Sequence, residues 1–326
     1  MKLEKSNVLV IGGAGFIGSF VVSELLKQPV NKVVVYDNFA RGNASYLEEQ
    51  LEDERCSIFP FGGDIREIDI LNTAMEGMDY VISLAAMWLL HCKDYPRTAF
   101  DVNIAGTFNI LEACVKNNIK KLIWSSSASV YGDALELPMT EAHPFNNKNF
   151  YGASKIAGEA MCTAFNDRYG LSVIALRYMN VYGPHQDQTA AYTGVVPIML
   201  NKIEANEAPS INGDGSQAYD FIYVEDVARA NVKALLSEQE FGMYNVGTEV
   251  QTSINELCDL ILELKNSDLK VKYNPYSEDD SRAMVKNRIG SRQKAEEELG
   301  FRYQYELKEG LQKLIDWRIA TGVDKP

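Results

Sequence analysis

The stretch "VLVIGGAGFIGSF" constrains the fold of this chain more than any other. Its apolar run, residues 8–11, passes straight into Gly12, Gly15 and Gly18 at the spacing G-x-x-G-x-x-G, and then into a helix-forming segment. Glycine at such places lets the backbone turn tightly after a strand and approach a pyrophosphate, whose charge is favoured by the free N–H groups of a helix start. Asp37 closes the next apolar run, "VVVYDN". It lies about 20 residues beyond the last glycine, where a carboxylate takes the ribose hydroxyls of an adenosine. Arg41 follows as a candidate for a 2′-phosphate, but the charge of Asp37 repels that group, so the pattern favours NAD over NADP.

Around this unit, short β-branched runs alternate with helix-length amphipathic stretches. Strands are expected near 7–11, 32–36, 57–60, 80–84, 120–124 and 172–176, with helices between them. That alternation predicts an α/β fold with a Rossmann-type doubly wound parallel sheet. After Gly183-Pro184 the pattern loosens, with turns at 212–217 and 272–282 and helices at 224–236, 254–264 and 307–318. Residues 1–183 are therefore expected to form an NAD-binding domain whose sheet is completed by parts of 220–247. Residues 184–326 are expected to form mainly a smaller, interleaved substrate-binding lobe.

The composition narrows the partners. A chain of 326 residues with 46% hydrophobic content can bury a full core. A net charge of −13 and the lack of any basic stripe argue against nucleic acid. The five cysteines, Cys56, Cys92, Cys114, Cys162 and Cys258, are scattered and show no CxxC spacing, which predicts a reducing, cytoplasmic setting without zinc. His91, His143 and His185 have no partner at metal-ligand spacing, so no metal is expected. No apolar stretch is long enough to span a bilayer and no secretory signal opens the chain, so no membrane partner is expected.

Two further segments carry chemistry. "SSSASVYG", 125–132, sets three hydroxyls in a row at a strand end and offers no acid to any of them. "FYGASKIAGEAM" sets Tyr151 and Lys155 four apart, on one face if the segment is helical. A free phenol titrates near pH ~10 and is a poor base at neutrality, but a neighbouring ammonium stabilises its anion. Ser127, arriving from the adjacent strand end, is placed to hydrogen-bond the same substrate oxygen. The hydroxyl thus serves a phenol base, and a carboxylate there would belong to another reaction.

Taken with the glycine loop, these residues resemble the extended short-chain dehydrogenase/reductase family, and within it the nucleotide-sugar epimerases and dehydratases. The resemblance covers nearly the whole chain. It is carried by GGAGFIG at 12–18, Asp37-Asn38, Gly63-Asp64-Ile65, "NIAGTFNILEAC" at 103–114, SSSASVYG, YGASK at 151–155, "LRYMNVYGP" at 176–184, "GDGSQAYDFIYVEDVARA" at 213–230 and "KAEEELGF" at 294–301. The resemblance implies Ser127, Tyr151 and Lys155 as catalytic residues. It implies NAD held by Gly12, Gly15, Phe16, Ile17, Gly18, Asp37, Asn38, Asp64, Ile65, Leu84, Ala85, Asn103, Tyr151, Lys155 and Tyr178. A nucleotide-sugar substrate would meet Trp88, Ser127, Asn180, Val196, Tyr219 and Arg282. The helices near 96–117 and 151–169 carry apolar residues beyond the needs of one sheet face, and in the family such helices pair as a four-helix bundle, implying a homodimer.

Side-chain chemistry narrows the branch. Water-eliminating relatives carry Thr-Asp-Glu just before Val-Tyr-Gly, whereas this chain has Ser127-Ala128-Ser129. The expected activity is therefore 4-epimerisation, through oxidation at C4, a 4-keto sugar and return of hydride to the opposite face. The alternatives are a 4-ketoreductase or dehydrogenase with net redox, and a non-catalytic NAD- and nucleotide-sugar-binding sensor. Two departures bear on the substrate. Tyr219 stands where many UDP-sugar epimerases have a diphosphate-gripping arginine, with Arg282, Lys286 or Arg288 as candidate replacements. Residues 87–90, Met-Trp-Leu-Leu, put bulky apolar groups in a loop that is more polar in many glucose/galactose epimerases, which suggests a pocket for a modified sugar.

Overall fold

The computed structural model describes residues 3–187, 194–275 and 285–323. Its strands in chain order are β1 (Asn7–Ile11), β2 (Lys32–Tyr36), β3 (Cys56–Ile58), β4 (Tyr80–Ser83), β5 (Lys121–Ser127), β6 (Val173–Tyr178), β7 (Asn180–Tyr182), β8 (Ser210–Asn212), β9 (Ala218–Tyr219), β10 (Phe221–Tyr223), β11 (Phe241–Val246), β12 (Thr252–Ser253), β13 (Lys272–Asn274) and β14 (Asn287–Arg288). Seven of them form one sheet in the order β11-β6-β5-β4-β1-β2-β3, and every neighbouring pair in it runs parallel. This is the doubly wound order 3-2-1-4-5-6, extended by one strand.

Strands buried on both faces need apolar residues at every position, and β1 shows how that works. Val8 and Val10 enter the core under the Phe16–Leu26 and Val224–Leu236 helices. Leu9 and Ile11 enter the core under the Ile68–Met75, Gly106–Lys116 and Phe150–Tyr169 helices. A third core joins Tyr182, Val196, Phe221, Tyr223, Leu257, Ile261, Leu311 and Ile315. Shorter ladders flank it: β7 with β10, β8 with β13, and β9 between β12 and β14.

Several boundaries differ from the sequence reading, two of them for definite physical reasons. The third strand is Cys56–Ile58 rather than 57–60, because Pro60 lacks the N–H a ladder needs. The segment expected as one helix over 96–117 is three pieces: Pro96–Ala99, a wider π-type stretch at Phe100–Ala105, and Gly106–Lys116. The wider turn shifts the helical phase, which side-chain periodicity does not reveal.

Candidate active site

In a doubly wound sheet, ligands bind at the carboxyl ends of the strands where the order reverses, here between β1 and β4. A cavity of about 360 Å³ opens at that place, lined by Gly12, Gly15, Asp37, Asn38, Gly63, Asp64, Ile65, Leu84, Ala85 and Trp88 among others. Gly12 has φ +78°, and a Cβ there would lie 2.8 Å from the Ala85 nitrogen. A Cβ on Gly18 would collide with the Gly12 carbonyl oxygen. The loop can therefore lie this close to the first helix turn and to β4 only with glycine.

Asp37 accepts hydrogen bonds from the backbone N–H of Ala14 (2.9 Å) and Phe39 (2.8 Å). Burial raises its carboxyl pKa and these bonds partly oppose the rise. Arg41 is engaged elsewhere, donating to Asp187 at 3.0 Å and lying 4.6 Å over the Trp88 ring. A glycine cradle and a carboxylate at the cavity wall, with the nearby arginine already paired, fit NAD.

Not every expected cofactor residue reaches this cavity. Phe16 lines a neighbouring cleft, and Ile17 and Tyr178 line the reaction cavity described below. Asn103 lies buried behind the loop that follows β4. Its amide accepts from Met87 N (2.6 Å) and donates to Met87 O (2.8 Å) and Ser154 Oγ (3.1 Å). Asn103 thus positions the loop that carries Trp88 instead of lining the cofactor cavity.

The second cavity, about 660 Å³, brings together Ser127, Tyr151, Tyr178, Asn180, Val196, Tyr219, Trp88 and Arg288. Asn149 starts the helix of Tyr151 and Lys155 by accepting from the Gly152 N–H at 2.8 Å. Asn180 donates to Asp220 O (3.1 Å), and Tyr219 donates to Val285 O (2.7 Å). Arg282 lies outside the described residues, and Lys286 is exposed. Of the three candidates to replace the arginine at 219, Arg288 is the one on the cavity wall.

Each serine at the end of β5 has its own partner. Ser125 offers its carbonyl to Lys155 Nζ at 2.6 Å. Ser126 donates to Glu159 Oε1 at 2.5 Å. Ser127 accepts from Ser129 N at 3.1 Å and lies beside the Tyr151 phenol on the cavity wall. Tyr151, Lys155 and Glu159 therefore form one i, i+4, i+8 stripe facing the strand end. Glu159 escaped the sequence reading, although its spacing signals it, as did the Arg177 that pairs with it.

The electrostatics add what helical spacing does not reveal. Burial pushes the Tyr151 phenol up to about 12, with Ser127 and then Arg288 pulling it down, while burial pushes the Lys155 ammonium down to about 8. Lys155 Nζ lies 5.7 Å from the Tyr151 ring and 4.8 Å from that of Trp124. Desolvation, invisible in sequence, is the largest influence on both groups. A folded-state pKa of about 8 means that Lys155 is charged below that pH and loses its charge as pH rises through it. NMR of ε-¹³C-lysine protein should show one resonance titrating near pH 8 that disappears in Lys155→Met.

His143 and His185 serve packing. His143 Nε2 accepts from Leu135 N at 3.0 Å, and His185 stacks on Tyr46 at 4.1 Å between ring centroids. His91 lines the cofactor cavity. Among the described residues, no group of three or more His, Cys, Asp or Glu is placed to hold a metal. None of their helices is long and apolar enough to cross a membrane.

Comparison with known proteins agrees with this geometry. The NAD dependent epimerase/dehydratase family matches residues 8–247. A solved UDP-N-acetylglucosamine 4-epimerase from Methanobrevibacter ruminantium M1, in complex with UDP-N-acetylmuramic acid, is 33% identical, with 98% of this chain and 100% of that one covered and a TM-score of 0.90. A UDP-glucose 4-epimerase from Mycolicibacterium smegmatis is 32% identical over 314 residues, 95% of this chain and 98% of its own. A UDP-N-acetyl-alpha-D-glucosaminuronate decarboxylase from Bacillus cytotoxicus is 30% identical over 328 residues, 96% of this chain and 98% of its own. With its glycine cradle, its seven parallel strands and these likenesses, the chain belongs to the NAD dependent epimerase/dehydratase family.

Proposed function

We propose that the chain is a nucleotide-sugar 4-epimerase that retains NAD and causes no net redox. The observation that carries this reading is the wall of the reaction cavity. Among its described residues there is no Asp, Glu or His, and the titratable groups are tyrosines and Arg288. Elimination needs an acid for the leaving hydroxyl and a base for the adjacent carbon, and the described residues of this wall offer no carboxylate for either. Exchange of configuration at one carbinol needs a single proton carrier, and Tyr151 is placed for it.

Bound NAD would supply a reversible hydride acceptor and, in its oxidised form, a positive charge that favours an ionised phenol. Tyr151 takes the proton of the sugar 4-hydroxyl and returns it after the sugar has turned over. Ser127 holds that oxygen. A cavity of about 660 Å³ is of the size that encloses a small ligand and leaves a keto sugar room to rotate. We assign NAD binding mainly to residues 1–183 and sugar binding mainly to 184–326. The support is that the lining of the first cavity runs from Gly12 to Val102, whereas that of the second reaches Arg288.

The test is incubation of purified protein with UDP-, GDP-, CDP- and dTDP-sugars without added cofactor, followed by NMR. A 4-epimer should form, and deuterium placed at C4 should remain there in light water. Stoichiometric NADH would overturn the reading in favour of a dehydrogenase. Gly18→Val should strip the purified protein of bound NAD, measured by acid release, because the added side chain collides with the Gly12 carbonyl.

We further propose a homodimer in a reducing cytoplasm. Phe108, Phe150 and Tyr169 are 42%, 58% and 58% exposed on the Gly106–Lys116 and Phe150–Tyr169 helices, and all five cysteines are free and buried. Sedimentation should give twice the 36.5 kDa chain mass, with Phe108→Glu shifting it to monomer.

A further inference from the structure

Tyr219, at the end of β9, and Phe221, at the start of β10, both line the reaction cavity. Asp220 lies between them, fully buried and off the cavity lining. In an extended segment residues i and i+2 share a side, so the one between them turns away. There its carboxylate meets the loop that leaves β11, the edge strand of the central sheet. Thr248 N donates to both oxygens (2.9 and 3.1 Å), Thr248 Oγ1 donates to Oδ1 (2.7 Å), and Glu249 N donates to Oδ2 (3.0 Å). A Cβ on Gly247 would collide with Oδ2, so glycine lets the loop come this close. Burial pushes the carboxyl up to about 6, with the Thr248 and Glu249 bonds pulling it down, so it is ionised at neutral pH. A buried carboxylate is costly to keep unless its lone pairs are satisfied, and these donors satisfy them.

The backbone of Asp220 holds the neighbouring strands. Its carbonyl accepts from Asn180 N (2.9 Å) and Asn180 Nδ2 (3.1 Å), and its N–H donates to the Arg288 carbonyl (3.1 Å). Asn180 and Arg288 line the same cavity, so one buried residue ties four pieces of its wall, Asn180, Tyr219, Phe221 and Arg288, to the end of the central sheet. We infer that Asp220 is a positioning residue for nucleotide-sugar binding: without touching the ligand, its carboxylate holds the cavity wall in the arrangement that binds. The inference rests on the reading that this cavity takes the nucleotide sugar, whatever reaction follows. With the clasp lost, the free protein would spread over several wall arrangements, and affinity would fall with the fraction still competent.

Titration calorimetry of the NAD-loaded protein with UDP and UDP-glucose tests it. Asp220→Asn keeps the shape, but an amide nitrogen cannot accept from an N–H, so one side of the clasp opens. Both Kd values should rise by about 10- to 100-fold, the range for loss of hydrogen bonds to a charged group. Thr248→Val removes a hydroxyl that bonds the carboxylate from a residue off the cavity lining, and should raise them by about 3- to 10-fold. Bound NAD, held in the other cavity, should stay at the wild-type content. A merely destabilised protein would titrate fewer sites at an unchanged Kd. That outcome would overturn the inference, as would wild-type Kd values in both variants at full stoichiometry. Wild type that binds neither ligand would sink the reading of the cavity and the inference with it, whereas tight wild-type binding with unmoved variants would sink the inference alone.

Discussion

Tyr151→Phe is expected to lower turnover by about 10²–10⁴-fold, the range for loss of a positioned proton carrier. The substitution removes one oxygen from a half-buried side chain at the cavity wall, so nucleotide-sugar affinity and bound NAD should stay near wild type. No substitute stands ready, since the described residues of that wall include no carboxylate or imidazole. The phenol sits at about 12 before any cofactor charge acts on it, so the rate should rise with pH as it ionises. That rise should be absent in the phenylalanine variant. A loss below tenfold, with unchanged pH dependence, would remove Tyr151 from the proton path.

Glu159→Ala is expected to lower folding stability by about 3–5 kcal/mol, the cost of leaving a buried ion unpaired. That is a large share of the about 5–15 kcal/mol that holds a typical domain folded. Glu159 and Arg177 are 3% and 5% exposed and form two bonds, Nη2 to Oε2 at 2.7 Å and Nε to Oε1 at 2.8 Å. Arg177 Nη1 also donates to the Tyr131 hydroxyl (2.7 Å) and the Glu141 carbonyl (3.0 Å), and Tyr131 donates to Asn245 Oδ1 (2.7 Å). Removing the carboxylate strands a guanidinium among these groups. Urea denaturation should show the fall in midpoint, and Glu159→Leu combined with Arg177→Met should be milder than Glu159→Ala alone. An additive double variant would mean that the two residues act independently.

Local features read well from the sequence because their physics is local. Gly12 and Gly18 are demanded by backbone approach, Asp37 by its place at a strand end, and Tyr151 with Lys155 by helical spacing. The sheet followed from the alternation of short apolar runs and helices, and its seventh strand, Phe241–Val246, pairs with Val173–Tyr178 across a long sequence gap. What the sequence hid depends on tertiary contact. Asn103 looked like a cofactor ligand, but its amide is closed on the backbone of Met87. Spacing pointed to Lys155 beside the phenol, but not to the burial that lowers its own pKa or to the Ser125 carbonyl that accepts from its Nζ. Arg288 was one of three interchangeable cations until a two-residue ladder set it beside Tyr219.

The two cavities differ in when they can be complete. All lining residues of the first lie between Gly12 and Val102, and the central sheet closes with Val246. The second waits for Arg288. During synthesis from the amino end, dinucleotide can therefore be captured while the sugar site still lacks its cationic wall. A ribosome-bound intermediate that holds cofactor but cannot hold substrate follows from the order in which this chain emerges.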